Sequence, residues 1–113
     1  MHELSIVTSI IKTAEYEVET TGGGKIVEII LEIGKLSGVE LQSLHFIWEL
    51  CAKDSVLDNS KVTILEPEGK ASCAECETEY RLEKIYDSCP QCNSPFKNII
   101  SGKELKIKKL IIN

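Results

Sequence analysis

Four cysteines in two CxxC pairs constrain this chain more than any other feature. Cys73-Ala74-Glu75-Cys76 is followed, twelve residues later, by Cys89-Pro90-Gln91-Cys92. Each pair can turn both sulfurs toward one ion, and Zn²⁺ takes four thiolates in a tetrahedron at about 2.3 Å. The segment carrying them is too short to bury a core of its own, so a metal must hold it. Two redox-active CxxC pairs, or two disulfides, are the competing readings. They fit less well, because a redox CxxC opens a helix in a βαβ setting and neither pair has one beside it. A tetrathiolate site is closed. It leaves no position for water or substrate, so Lewis-acid catalysis is not expected there.

At 113 residues the chain is one domain, or one with a small appendage. Its formal net charge is −5, and four thiolates on one Zn²⁺ add about two more negative charges. Residues 70 to 97 hold five acids against four bases. A phosphate backbone needs a basic surface, so no nucleic-acid partner is expected. No apolar run is long enough to span a membrane. The start, Met1-His2-Glu3-Leu4-Ser5, lacks the basic opening and apolar stretch of a secretory signal. With four cysteines on metal and Cys51 unpaired, a reducing cytoplasm is the expected compartment.

Periodicity supplies the elements. Leu4, Val7, Ile10, Ile11, Ala14 and Val18 recur at helical spacing, which predicts a helix over 4–20, stopped by Gly22-Gly23-Gly24. Residues 25–33 read as a strand, with Val27, Ile29, Leu31 and Ile33 on one face. A turn at 34–38 leads to a second helix from Val39 to Lys53, with Ser37 and Glu40 in a capping-box pattern. On that helix Leu41, Leu44, Trp48, Cys51 and Ala52 share a side. Phe46 and Leu50 fall opposite, as a candidate contact patch or a surface packed on the cysteine lobe. Strands follow at 61–66 and 103–112, and the paired Lys108-Lys109 in the latter marks either a bulge or an exposed edge. The expected fold is α/β: two helices on a three-stranded sheet with an inserted zinc-ribbon-type lobe. Residues 1–69 plus 99–113 would form the main domain and 70–98 the zinc lobe.

Other chemistry is sparse. No GxSxG occurs, and Gly22-Gly23-Gly24 lacks the Lys-Ser/Thr of a phosphate loop. Cys51 reads as a core thiol. His45 reads as a boundary histidine, with an auxiliary metal ligand as the alternative. His2 stands out by position. The amine of residue 1, the amide nitrogen of residue 2 and its imidazole can close two fused chelate rings in one plane. Square-planar nitrogen donors select Ni²⁺ or Cu²⁺ over Zn²⁺. Such a site weakens as pH falls, because it needs a free amine and a neutral imidazole.

Taken together, these residues resemble the HypA family of nickel-handling accessory proteins. The resemblance rests on Met1-His2-Glu3-Leu4-Ser5-Ile6, on Leu31-Glu32-Ile33-Gly34-Lys35-Leu36-Ser37-Gly38-Val39-Glu40, on the CxxC pairs and on Ser101-Gly102-Lys103-Glu104-Leu105, and covers essentially the whole chain. It implies a nickel site at the N-terminus, on Met1 and His2 with Glu3 associated and Glu40 linked to it. It also implies a structural zinc site on Cys73, Cys76, Cys89 and Cys92. Some relatives carry a longer insert with histidines between the cysteine pairs, which this chain lacks. The implied role is a non-enzymatic carrier of Ni(II) for maturation of NiFe-hydrogenase. Its implied partners are a GTPase nickel-handling accessory protein and the hydrogenase large subunit, and a homodimer is an open alternative to a monomer. The competing functional classes are a zinc-ribbon module binding protein or nucleic acid, and a thiol oxidoreductase.

Overall fold

The computed structural model describes residues 3–113, so Met1 and His2 lie outside the described residues. The elements run α1 (Glu3–Thr20), β1 (Ile26–Ile33), α2 (Leu41–Ala52), β2 (Lys61–Leu65), β3 (Gly69–Cys73), β4 (Glu79–Leu82), β5 (Lys97–Ser101) and β6 (Leu105–Ile112). They make two three-stranded sheets, ordered β2-β1-β6 and β4-β3-β5. The second sheet is inserted in the chain between β2 and β6. The chain divides into two compact units: Met1–Leu31 with Gly38–Ile64 and Ile107–Asn113, and Glu32–Ser37 with Leu65–Lys106.

In the first unit, α1 buries Ile6, Val7, Ile10, Ala14 and Val18, and α1 and α2 pack together. Leu4, expected on the buried face, is exposed at 55%; the buried stripe is rotated so that Ile6 takes its place. The helix ends where the Gly23 amide donates to Val18 O at 2.8 Å and the Gly22 amide to Glu19 O at 3.2 Å. This is a Schellman closure, with Gly22 at φ 96° as the left-handed residue. In β1, Ile29, Leu31 and Ile33 are buried as expected, but Val27 is exposed and Ile26 is buried in its stead. The buried side changes at the strand's first residues, where the Ile26 amide donates to Val56 O.

Helix α2 begins later than the capping-box pattern implies. Glu40, not Ser37, is the N-cap, with extended backbone (φ −89°, ψ 111°). Its Oε2 accepts the amides of Gln42 at 2.8 Å and Ser43 at 3.2 Å. A carboxylate does this well because it also meets the positive end of the helix dipole. Leu44, Trp48 and Ala52 are buried, Cys51 is half-buried, and Phe46 and Leu50 are both exposed.

The second unit holds strands that the sequence reading did not assign within the zinc lobe at 70–98. Three strands are present. β3 pairs antiparallel with β4, from Gly69↔Leu82 to Ser72↔Glu79. On its other edge β3 pairs with β5, from Lys70↔Ser101 to Cys73↔Lys97, with a register shift after Lys70. Lys70, Ser72, Glu79 and Arg81 share one face of the pleat. Ala71, Cys73, Tyr80 and Leu82 share the other, and with Cys89 they form a buried cluster against which Leu36 and Ile99 pack. This unit takes in more chain than residues 70–98, because the turn after β1 belongs to it. The Leu36 amide donates to Gly102 O at 2.7 Å and the Gly34 amide to Glu104 O at 2.8 Å. A Cβ on Gly102 would lie 2.7 Å from Gly69 Cα, and Gly102 sits at φ 111°. In β6 the alternation slips at Lys108-Lys109, which are both exposed, so that Leu105, Ile107, Leu110 and Ile112 are all half-buried.

Gly102→Ala is expected to destabilise the fold by well over about 1 kcal/mol, from clash and positive φ together. Urea unfolding of the two proteins side by side measures it, and an unchanged midpoint would contradict the close approach.

Candidate metal centre

Strand β3 ends at Cys73, and Cys89 opens a turn between β4 and β5. The two turns are built alike. The Cys73 amide donates to Thr78 O at 2.8 Å and the Glu77 amide to Cys73 O at 3.0 Å. In the second turn the Cys89 amide donates to Ser94 O at 2.9 Å and the Asn93 amide to Cys89 O at 2.8 Å. The residue that closes each turn is left-handed: Glu77 at φ 64° and Asn93 at φ 63°. Asn tolerates that conformation and Glu does so at a cost, which the rest of the turn must offset.

The turns bring the sulfurs together. Cys73 Sγ lies 3.5 Å from Cys92 Sγ and Cys76 Sγ lies 3.6 Å from Cys89 Sγ. All four ligand atoms fall within 4.8 Å of one another. Four sulfurs placed about 2.3 Å from a common ion stand about 3.8 Å apart on tetrahedral geometry, so the set fits a tetrathiolate centre. Amides point at the sulfurs as well. Glu75 and Cys76 donate to Cys73 Sγ at 3.4 and 3.5 Å, and Gln91 donates to Cys89 Sγ at 3.4 Å. Cys73 and Cys89 are buried, Cys76 and Cys92 exposed.

The thiols differ in acidity. The Thr78 hydroxyl, 3.2 Å from Cys76 Sγ, is the leading influence that draws Cys76 down to about 6. The Cys76 amide leads in lowering Cys73. The Ser94 amide also pulls on Cys92, but its neighbours Cys73 and Cys76 outweigh it and push Cys92 up to about 12. The surroundings favour some thiolates and oppose the last; a divalent cation removes that conflict. Neither pair opens a helix, which is unlike a redox CxxC.

Of the other sequence candidates, Glu3 and Glu40 are brought together: the Glu40 amide donates to Glu3 Oε2 at 3.3 Å. The Glu40 carboxylate is engaged in capping α2. His45 is exposed and lines a cleft of about 410 Å³ with Trp48, Glu49, Lys53, Leu57 and Asp58. Among the described residues the cysteine set is the one group of three or more potential ligands close enough to share an ion, and His45 is not part of it. Periodicity and spacing missed Thr78, Ser94 and Tyr80, which shape the centre from outside the CxxC pattern. Tyr80 was legible only as the apolar member of an alternating Glu79-Tyr80-Arg81-Leu82 run.

Two helices, a three-stranded sheet and an inserted ribbon define a small α/β protein with four convergent thiols suited to a metal ion. Comparison with known proteins narrows this. Residues 1–112 match the family model described as hydrogenase/urease nickel incorporation, metallochaperone, hypA, and the chain belongs to the HypA family. It is 38% identical over 112 residues to the hydrogenase maturation factor HypA of Parabacteroides distasonis, covering 99% of this chain and 97% of that one. It is 36% identical over 113 residues to the HypA of Francisella philomiragia, covering 100% of both. The fold is similar to that of the solution structure of the Ni metallochaperone HypA from Helicobacter pylori, with a TM-score of 0.73 and 24% identity over 99% of this chain and 97% of that one.

The charge state of the thiols sets a pH dependence. Cys76 is depressed from 9.0 to about 6, so its contribution is complete above the upper value and is lost as pH falls through the lower. Metal binding needs deprotonated sulfurs and runs in the same direction. Bound metal is therefore expected to be released on acidification, as measured with a chromogenic chelator; retention that does not change with pH would contradict thiolate ligation. Cys73→Ala is expected to abolish metal retention and unfold the β3-β4-β5 unit while α1 and α2 keep their helical circular dichroism.

Proposed function

We propose that this chain is a nickel metallochaperone that delivers Ni(II) during maturation of NiFe-hydrogenase and carries Zn(II) as a structural ion. The observation that carries this reading is the match of residues 1–112 to a nickel-incorporation family. In this reading the first unit handles nickel, and the second holds zinc through Cys73, Cys76, Cys89 and Cys92. A four-sulfur set suits Zn²⁺ by softness and geometry and leaves no open position. The protein is therefore a carrier and not an enzyme.

Nickel is cargo. Its donors are the Met1 amine and the amide and imidazole nitrogens of His2. Glu3 and Glu40 are associated acids, joined through the Glu40 amide. Copper binds nitrogen donors more tightly than nickel, so selectivity must come from delivery and availability. A terminal site suits transfer, since an acceptor can displace the donors one at a time. The acceptors are a GTPase nickel-handling accessory protein and the hydrogenase large subunit, met in a reducing cytoplasm where thiols stay free. The family description names urease beside hydrogenase, so urease maturation is a second candidate destination.

A ribbon module that binds nucleic acid is disfavoured by the ribbon's own charges. Lys70 pairs with Glu79 at 3.6 Å, Arg81 pairs with Glu68 at 3.2 Å, and Lys97 Nζ donates to Ile85 O at 2.9 Å. Each of these cations already has a partner, and residues 70 to 97 carry more acids than bases.

His2→Ala, or one residue added before Met1, is expected to abolish tight nickel binding and leave zinc content and fold unchanged. Metal analysis and calorimetric nickel titration of the untagged protein decide it; nickel affinity surviving both changes would refute the N-terminal site. Glu40 is tested by Glu40→Ser, which keeps a capping oxygen and removes the carboxylate. Weaker nickel binding at unchanged thermal stability assigns Glu40 to the nickel site, and unchanged binding confines it to capping α2.

A further inference from the structure

Tyr80 carries a buried polar atom with no partner. The residue is 7% exposed and belongs to the same buried cluster as Cys73 and Cys89. Its hydroxyl is sealed from solvent and makes no hydrogen bond. Buried phenols nearly always find an acceptor, because leaving one unpaired costs about 1–3 kcal/mol. An unpaired buried group thus points to an acceptor that forms only in another state of the site.

The register and the buried cluster narrow where that acceptor is. Tyr80 stands opposite Ala71 on the buried face of β3 and β4, and Cys73 is the next residue of β3 on that face. Burial leads in raising the Tyr80 hydroxyl above its ordinary pKa, and the sulfurs of Cys89, Cys73 and Cys92 raise it further. The two turns also differ in one respect. Cys73 Sγ receives two amides, from Glu75 and Cys76, whereas Cys89 Sγ receives one, from Gln91. The second turn is therefore one donor short, and its sulfur belongs to the same buried cluster as a phenol that lacks an acceptor.

We propose that the Tyr80 hydroxyl is a positioning donor to the Cys89 thiolate in the metal-loaded centre, completing for the second turn what the Cys76 amide does for the first. This rests on the zinc reading above. A neutral thiol accepts weakly, while a metal-bound thiolate carries charge and accepts well. The donor helps offset the excess charge that four thiolates leave on one divalent ion.

The test uses the full chain and the variant Tyr80→Phe. Zinc affinity is read by competition with a chromogenic chelator, and the centre is read by the sulfur-to-metal charge-transfer band after replacement with Co²⁺. Expected are unchanged metal content, zinc binding weaker by about tenfold or more, and a band moved to longer wavelength as the sulfur loses its donor. Unchanged or tighter zinc binding with the band in place would overturn the proposal, because removing a truly unpaired hydroxyl relieves a penalty. Leu82→Met disturbs the same cluster without touching a hydroxyl and is expected to leave the band in place; an equal shift in that variant would also overturn it. A wild-type protein that binds no zinc sinks the zinc reading itself, a result distinct from any difference between the variants.

Discussion

Repulsion among four closely placed sulfurs governs the second unit. With every ligand atom within 4.8 Å of the others, all four cannot become thiolates unless positive charge lies among them. The strands around the cluster run only four or five residues, and the buried set is Ala71, Cys73, Tyr80, Leu82 and Cys89. So little apolar area cannot by itself offset the ordering of that much chain. Ion binding and folding are then one equilibrium in this unit, as in other small metal-held modules.

The centre was legible in the sequence because CxxC spacing encodes a turn with two convergent sulfurs, a local property that needs no tertiary context. The helices and β1 were legible because their apolar residues follow a period. The ribbon strands were not, because each is short and presents Lys70, Ser72, Glu79 and Arg81 to one side, which reads as a polar loop. Glu40 shows a subtler failure. A Ser followed three residues later by Glu matches a capping box, but here the Glu is itself the cap. Sequence spacing alone could not tell whether the helix begins before or after it. Leu4 and Ile6 exchanged roles for a related reason: helical periodicity leaves the direction of a stripe uncertain by about one residue's rotation.

The motif glycines acquire a physical reason. Leu36 reaches the core of the second unit only because its turn runs against Gly102 and Gly69, where Leu36 side-chain atoms lie 2.9 and 2.7 Å from where a Cβ would stand. The separated stretches Gly34 to Gly38 and Ser101 to Leu105 are thus one structural feature. At the start of the chain, Glu3 and Glu40 form a second link between distant stretches. It sets the first turn of α1 beside the cap of α2, within the unit to which nickel handling is assigned.

The likeness of the two cysteine turns bears on the order in which an ion is captured. Each turn closes with backbone bonds of its own, Cys73 with Glu77 and Thr78, and Cys89 with Asn93 and Ser94. An ion bound here would therefore be held by two bidentate claws instead of four independent thiols. Once one claw has closed, the other two sulfurs arrive as a chelate whose local concentration is set by the short chain between them.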